Sequence, residues 1–173
     1  DPRIEICSSF PTDAILERAG DVIDYLSPHH YAPSLRAIAA DIEAQRERVA
    51  RLGRGRRIRL AVTEWNQTAG AWGGPRALMS TQQNALYCAR VLHLYQRNSD
   101  FVAIANRSNL TNSWGAGVVQ TTRDSLFVTP AYHALRLMSR YCGKWPLKVV
   151  DERGNDAWGA EFGSVLDVAA SLS

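Results

Sequence analysis

The chain has 173 residues, ordinary hydrophobic and charged fractions (46% and 21%) and a formal charge of +3. That length holds one domain with a real core or part of something larger, and the composition excludes a disordered protein. Eighteen of the twenty basic residues are Arg, seven of them between Arg46 and Arg59; with no RNA-binding or helix-turn-helix signature beside them, they read as a solvated helix end and loop rather than a nucleic-acid patch.

Arg3-Ile4-Glu5-Ile6-Cys7 reads as a short strand, and a helical stretch from Thr12 to about Ala19 stops at Gly20. Val22 to Ser27 is a second strand. A long amphipathic helix from Pro33 to about Leu52 puts Leu35, Ile38, Ile42, Val49 and Leu52 on one face. Pro33 suits its first turn and Gly53 its stop. The third strand runs from Arg57 to Glu64. A Gly/Trp-rich loop, Ala69 to Gly74, leads into a helix from Pro75 to about Arg97, and Phe101 to Asn106 forms the fourth strand. After a long polar loop, Pro130 opens a helix that Gly143 closes. Four successive β-α units with near-continuous apolar strands predict a parallel sheet covered by helices.

From Lys144 the texture changes. Leu147 to Val150 and Gly163 to Ala170 read as strands separated by a turn-rich stretch from Asp151 to Asn155, with no helix between them. This is the opening of an all-β module. Cys7, Cys88 and Cys142 have no metal-like spacing, and buried free thiols are expected. No signal peptide or membrane span is visible, and the compartment stays open.

The chemistry concentrates at the end of the third strand, in Thr63-Glu64-Trp65-Asn66. A carboxylate at the C-terminal tip of a parallel strand is where a (β/α) barrel glycosidase carries its nucleophile. The competing reading is a strand-end Glu in an ion pair with Arg. Trp65 offers a sugar platform, and Asn66 a hydrogen bond to a substrate hydroxyl. In Ser27-Pro28-His29-His30-Tyr31, alternation puts Ser27, His29 and Tyr31 on one side, one parallel unit before Glu64. A Tyr31 hydroxyl donating to Glu64 would hold it ionised and oriented. His30 then points to the other side, in a structural role. His93 and His133 fall on helices without evident partners. Trp72 and Trp114, in the loops after the third and fourth strands, suit either sugar stacking or loop packing. Three Asn-X-Ser/Thr matches, at Asn66, Asn106 and Asn109, are expected by chance.

Together these residues resemble glycoside hydrolase family 51, whose typical members are α-L-arabinofuranosidases. The matching pieces are Asp1-Pro2-Arg3-Ile4, the run from Asp24 to Tyr31, Ala61 to Asn66, Asp100 to Asn106 and the helix opened by Pro130, in order over nearly the whole chain. The resemblance implies a (β/α)8 TIM barrel followed by a β-sandwich, with residues 1–143 as the C-terminal half of the barrel (strands 5–8) and residues 144–173 as the opening strands of the sandwich. It implies a retaining mechanism with Glu64 as nucleophile on the seventh strand and His29 and Tyr31 on the sixth, and Trp65, Asn66 and Trp72 as further substrate contacts. Thr63 stands where the family commonly has Asp. The family's acid/base Glu, in an Asn-Glu pair ending the fourth strand, then falls outside this chain. The implied partners are an arabinose-containing carbohydrate and the N-terminal half of the barrel, with no metal or organic cofactor, nucleic acid or membrane; a homo-oligomer is left open. The alternatives are another retaining barrel glycosidase, such as an endoglucanase or xylosidase, or a non-catalytic carbohydrate-binding fragment.

Overall fold

A computed structural model describes residues 4–67, 77–112, 117–154, 159, 163–164 and 166–173. Its centre is a parallel sheet. One row comprises β1 (Tyr25–Leu26) and β2 (His29–Ala32), which lie end to end along the same side of β3 (Arg59–Gln67), and β4 (Val102–Arg107) pairs with the other side of β3. Cys7 adds a parallel bridge to Tyr25, so the strand expected over Arg3–Cys7 is reduced to one bridge among the described residues. The expected second strand is also corrected. It begins only at Tyr25 and is interrupted at Ser27-Pro28, where proline cannot donate to the ladder.

The helices are α1 (Asp13–Ala19), α2 (Leu35–Leu52), α3 (Gln82–Arg97) and α4 (Pro130–Tyr141), with a 3-10 turn at Ala77–Ser80. Pro33 lies outside α2: the side chain of Ser34 accepts from the Ala37 N–H and caps the helix instead. Helix α3 is likewise capped by Thr81, which accepts from Asn84 N–H, while Pro75 and the Gly/Trp-rich loop lie outside the described residues. Pro130 does occupy the first turn of α4. Helix α2 buries Leu35, Ile38, Ile42 and Gln45, and α3 buries Asn84, Tyr87, Cys88, Val91, Leu94 and Tyr95. Both sets recur at three- and four-residue spacing and close over Leu26, Leu60, Val62 and Trp65 on one face of the sheet. At about 1.5–3 kcal/mol per fully buried large apolar side chain, this face carries most of the stability.

Two further pairs of strands flank the sheet. The polar loop before α4 contains an antiparallel pair that the sequence reading missed, β5 (Val119–Thr121) with β6 (Leu126–Val128). After α4, β7 (Trp145–Leu147) pairs antiparallel with β8 (Ala170–Leu172), so both strands are shorter than expected and displaced along the chain. Gly143 sits against the β8 backbone, where an added Cβ would collide with the Leu172 carbonyl; its N–H donates to Ser171 Oγ at 2.7 Å. Asp167, ahead of β8, reaches α3, where its carboxylate accepts from Arg97 at 2.9 Å and meets His93 Nδ1 at 3.3 Å. His93 therefore has a partner the sequence did not reveal.

The arginine-rich stretch is largely occupied in pairs. Arg48 and Arg51 share Asp13, Arg46 bonds Asp100, and Arg56 bonds Asp24. Of the cysteines, Cys88 is buried, where lack of solvation pushes its thiol up, but Cys7 and Cys142 are exposed. That overturns the expectation for those two. Cys7 lies at the edge of the sheet, and Cys142 follows the last turn of α4, so neither faces the helix-covered core.

Candidate active site

Glu64 is not at the tip of its strand. β3 continues for three more residues to Gln67, and Glu64 lies opposite His29 in the parallel register. Leu26 pairs with Leu60 and His29 with Glu64, so three steps along the β1–β2 row meet four steps along β3. Against β4, Val62 pairs with Ala105 and Trp65 with Arg107, so three steps on β3 meet two on its other neighbour. One comparison sets an extra residue of β3 between Leu60 and Glu64 and the other between Val62 and Trp65, so together they put it at Thr63-Glu64, a bulge.

The bulge has a direct result. Thr63 and Glu64, although consecutive, both reach the row of Ser27, His29 and Tyr31. Thr63 Oγ1 lies 2.6 Å from Ser27 Oγ and 3.1 Å from His29 Nε2, and the Tyr31 hydroxyl donates to Glu64 Oε2 at 2.7 Å. His29 Nδ1 stands 3.7 Å from the same oxygen, beyond hydrogen-bond reach, so it acts as an ion-pair partner only when protonated. Phe10, in the loop after Cys7, sets its ring against His29 edge-on at 4.7 Å. No sequence signal singled out Phe10, because nothing local to it says which strand end it will meet.

The Glu64 side chain is 48% exposed on this face, and its oxygen is held by one short hydroxyl bond. A Tyr hydroxyl in that position restricts the rotation of the carboxylate, as a group that must attack along one direction requires. Glu5 and Asp24 lie at the other end of the strands, where Glu5 accepts from Tyr25, beside Arg59, and Asp24 pairs with Arg56.

Trp65 and Asn66 do not join this cluster, which corrects the expectation that they contact substrate. Past the bulge, alternation turns Trp65 to the helix side, where it is 1% exposed and packs edge-on against Tyr95 of α3 at 5.7 Å. Its Nε1 has no partner among the described residues. An aromatic of this size buries roughly 150–250 Å², about 4–6 kcal/mol, against ~1–3 kcal/mol for one unsatisfied donor, so burial wins. Asn66 is 2% exposed and fully engaged: it donates to the Ser108 carbonyl at 2.7 Å, and its own oxygen accepts from Gln67 N–H at 2.8 Å. It ties β3 to the segment after β4. Trp72 and Trp114 lie outside the described residues. His30 points to the helices, as strand alternation requires, bonded to Asp41 of α2 and Tyr95 of α3.

Among the described residues no cluster of three or more His, Cys, Asp or Glu could hold a metal ion, and no helix is long and apolar enough to cross a membrane.

A family model described as the α-L-arabinofuranosidase C-terminal domain matches residues 63–161, more than half of the chain. The chain belongs to the α-L-arabinofuranosidase family. The resemblance to glycoside hydrolase family 51 drawn from the sequence is thereby borne out. The α-L-arabinofuranosidase of Thermotoga maritima, solved as an arabinose complex, shares 25% identity at a TM-score of 0.70, over 83% of this chain and 33% of that one. The family 51 α-L-arabinofuranosidase of Thermotoga petrophila RKU-1 shares 24% at a TM-score of 0.73, over 86% and 34%. That of Xanthomonas axonopodis pv. citri shares 16% at 0.54, over 78% and 34%. The chain thus spans about a third of the length of the solved structures it matches. No curated protein matched it.

Proposed function

We propose that this chain supplies the nucleophile side of a retaining α-L-arabinofuranosidase active site, acting on terminal arabinofuranosyl groups of arabinose-containing polysaccharides or oligosaccharides. The observation that carries the reading is the 2.7 Å bond from the Tyr31 hydroxyl to Glu64, on two adjacent parallel strands whose register sets Glu64 opposite His29, two residues before Tyr31. Glu64 attacks the anomeric carbon as the glycosidic C–O bond breaks, giving a covalent arabinosyl-enzyme. A second carboxyl group protonates the leaving oxygen, then takes a proton from the water that releases the sugar. Retention needs the two carboxyls about 5–5.5 Å apart. Glu64 is the one carboxylate in the described cluster with Thr63, His29 and Tyr31, and on this reading the acid/base residue comes from the N-terminal half of the barrel.

The domain reading follows from the same logic. Residues 1–143 form the C-terminal half of a (β/α)8 barrel, in support of which Cys7, β1–β2, β3 and β4 run parallel and in sequence order. Residues 144–173 open a β-sandwich, in support of which β7 and β8 pair antiparallel. His29, with Thr63 and Ser27 behind it, orients the sugar beside the nucleophile, and Phe10 borders the same face.

The deciding experiment uses the full-length enzyme with an aryl α-L-arabinofuranoside. Glu64→Gln is expected to lose roughly 10⁴-fold or more in kcat while melting like the parent. Near-normal turnover by that variant overturns the assignment. A preference for aryl xylosides or cello-oligosaccharides in the parent would move the substrate class and leave the nucleophile in place.

A further inference from the structure

The residues behind the site are arranged as a matched pair to those in front of it. In the parallel register His29 faces Glu64, and the next rung pairs His30 with Trp65. The first rung turns to the open face and the second to the helices. Tyr95 of α3 touches both members of the second rung: its ring stacks on His30 at 5.8 Å and 27°, and meets Trp65 edge-on at 5.7 Å and 78°. A single side chain therefore fixes the relative height and rotation of β2 and β3 one residue away from Glu64.

His30 is 4% exposed and bonded at both ring nitrogens. Nδ1 lies 2.8 Å from the Tyr95 hydroxyl and Nε2 lies 2.9 Å from Asp41 Oδ2. Asp41 is held in turn by Gln45, whose Nε2 donates to Asp41 Oδ1 at 3.0 Å. Any other orientation of the imidazole leaves a buried nitrogen unpaired, at about 1–3 kcal/mol, so the ring is locked. Because His29 and Tyr31 flank His30 on a short strand, locking the middle residue sets the direction of both neighbours.

We propose that His30 is a positioning residue for the nucleophile: pinned between Asp41 and Tyr95 and paired with Trp65, it holds β2 at the rotation that aims the Tyr31 hydroxyl at Glu64. The catalytic meaning of this rests on the proposed function, but the geometry does not. An apolar residue at position 30 would fill the same space at less desolvation cost, and the two directional bonds of His30 supply orientation instead.

The test uses the full-length enzyme carrying His30→Phe, Tyr95→Phe (which keeps the ring contacts and removes only the hydroxyl), and Leu16→Ala as a core truncation away from the site. A crystal structure of His30→Phe is expected to show the Tyr31–Glu64 bond broken; retention of that bond at its parent length overturns the proposal, whatever the enzyme acts on. In kinetics well below the melting temperature, His30→Phe lowers kcat by up to about 100-fold with KM within ~3-fold, the loss expected for ~1 Å of misplacement. Tyr95→Phe loses less, and Leu16→Ala keeps its kcat despite melting earlier. His30→Phe and Tyr31→Phe combined lose less than the product of their separate effects, because both act through one bond. If His30→Phe lowers only the melting temperature, as Leu16→Ala does, its role is packing and the proposal fails. An active Glu64→Gln enzyme alongside a broken Tyr31–Glu64 bond would overturn the functional reading and leave the positioning claim standing.

Discussion

The two faces of the β2–β3 pair carry similar residue types and put them to opposite uses. In front, His29, Tyr31 and Glu64 are partly open and loosely surrounded; His30, Trp65 and Asn66 are buried, His30 and Asn66 hydrogen-bonded inside the protein and Trp65 packed against Tyr95. One histidine of the His29-His30 pair belongs to each face. Residue type alone therefore says little about role here. The facing of each residue decides, and facing depends on strand alternation and on where it is broken.

The comparison can be broken most decisively by Glu64→Gln, where the front face predicts loss of turnover without loss of stability. The next largest effect belongs to the back: Trp65→Ala should destabilise by about 3–5 kcal/mol, read from the shift in the urea midpoint. A Trp65→Ala enzyme of parent stability but poor sugar affinity would return Trp65 to the substrate side. Tyr31→Phe sharpens the contrast, since a lost bond to a charged group costs about 1.5–3 kcal/mol, or roughly 10–150-fold. On the front face that loss should appear in kcat with the melting temperature little changed.

The smallest expected effect concerns pH. Burial pushes Asp41 up, but the bonds from His30 and Gln45 outweigh it and hold the carboxyl below its ordinary value of 3.8. A folded-state value below the unfolded one means that this stabilisation is complete above about pH 4 and is lost as the pH falls through the folded value. Asp13 and Asp167 are lowered in the same sense by their Arg and His partners, after a burial cost in the case of Asp167. Asp41→Asn should therefore flatten, without abolishing, the acid-side fall in melting temperature. An unchanged acid limb in that variant would mean that Asp41 is not ionised in the folded protein.

The sheet and its helices were readable in the sequence because their patterns are local. The spacing of Leu35, Ile38 and Ile42 and the apolar run of Leu60 to Val62 each suffice for one element. His29, Tyr31 and Glu64 were also readable, since two strand ends one β-α unit apart must lie side by side. Trp65 was misplaced although plain alternation sets it on the face opposite Glu64, whereas the engagement of Asn66 by the Ser108 carbonyl, 42 residues along the chain, and the shared facing of Thr63 and Glu64 depend on distant neighbours. The same limit hid Tyr95, Asp41 and Asp167, whose partners lie far along the chain or on other elements.

The bulge also sets what this strand can tolerate in descent. Removing Thr63 would restore regular alternation and leave the carboxylate on the open face and the indole against the helices, at the loss of the hydroxyl that meets Ser27 and His29; removing two residues between Leu60 and Glu64 would swing the carboxylate into the helix layer and turn the indole outward. Surface loops of such proteins absorb gains and losses of residues freely; a nine-residue strand with one surplus position absorbs a single loss and no more. Among natural variants of this chain, the stretch from Leu60 to Glu64 should therefore be found one residue shorter, but not two.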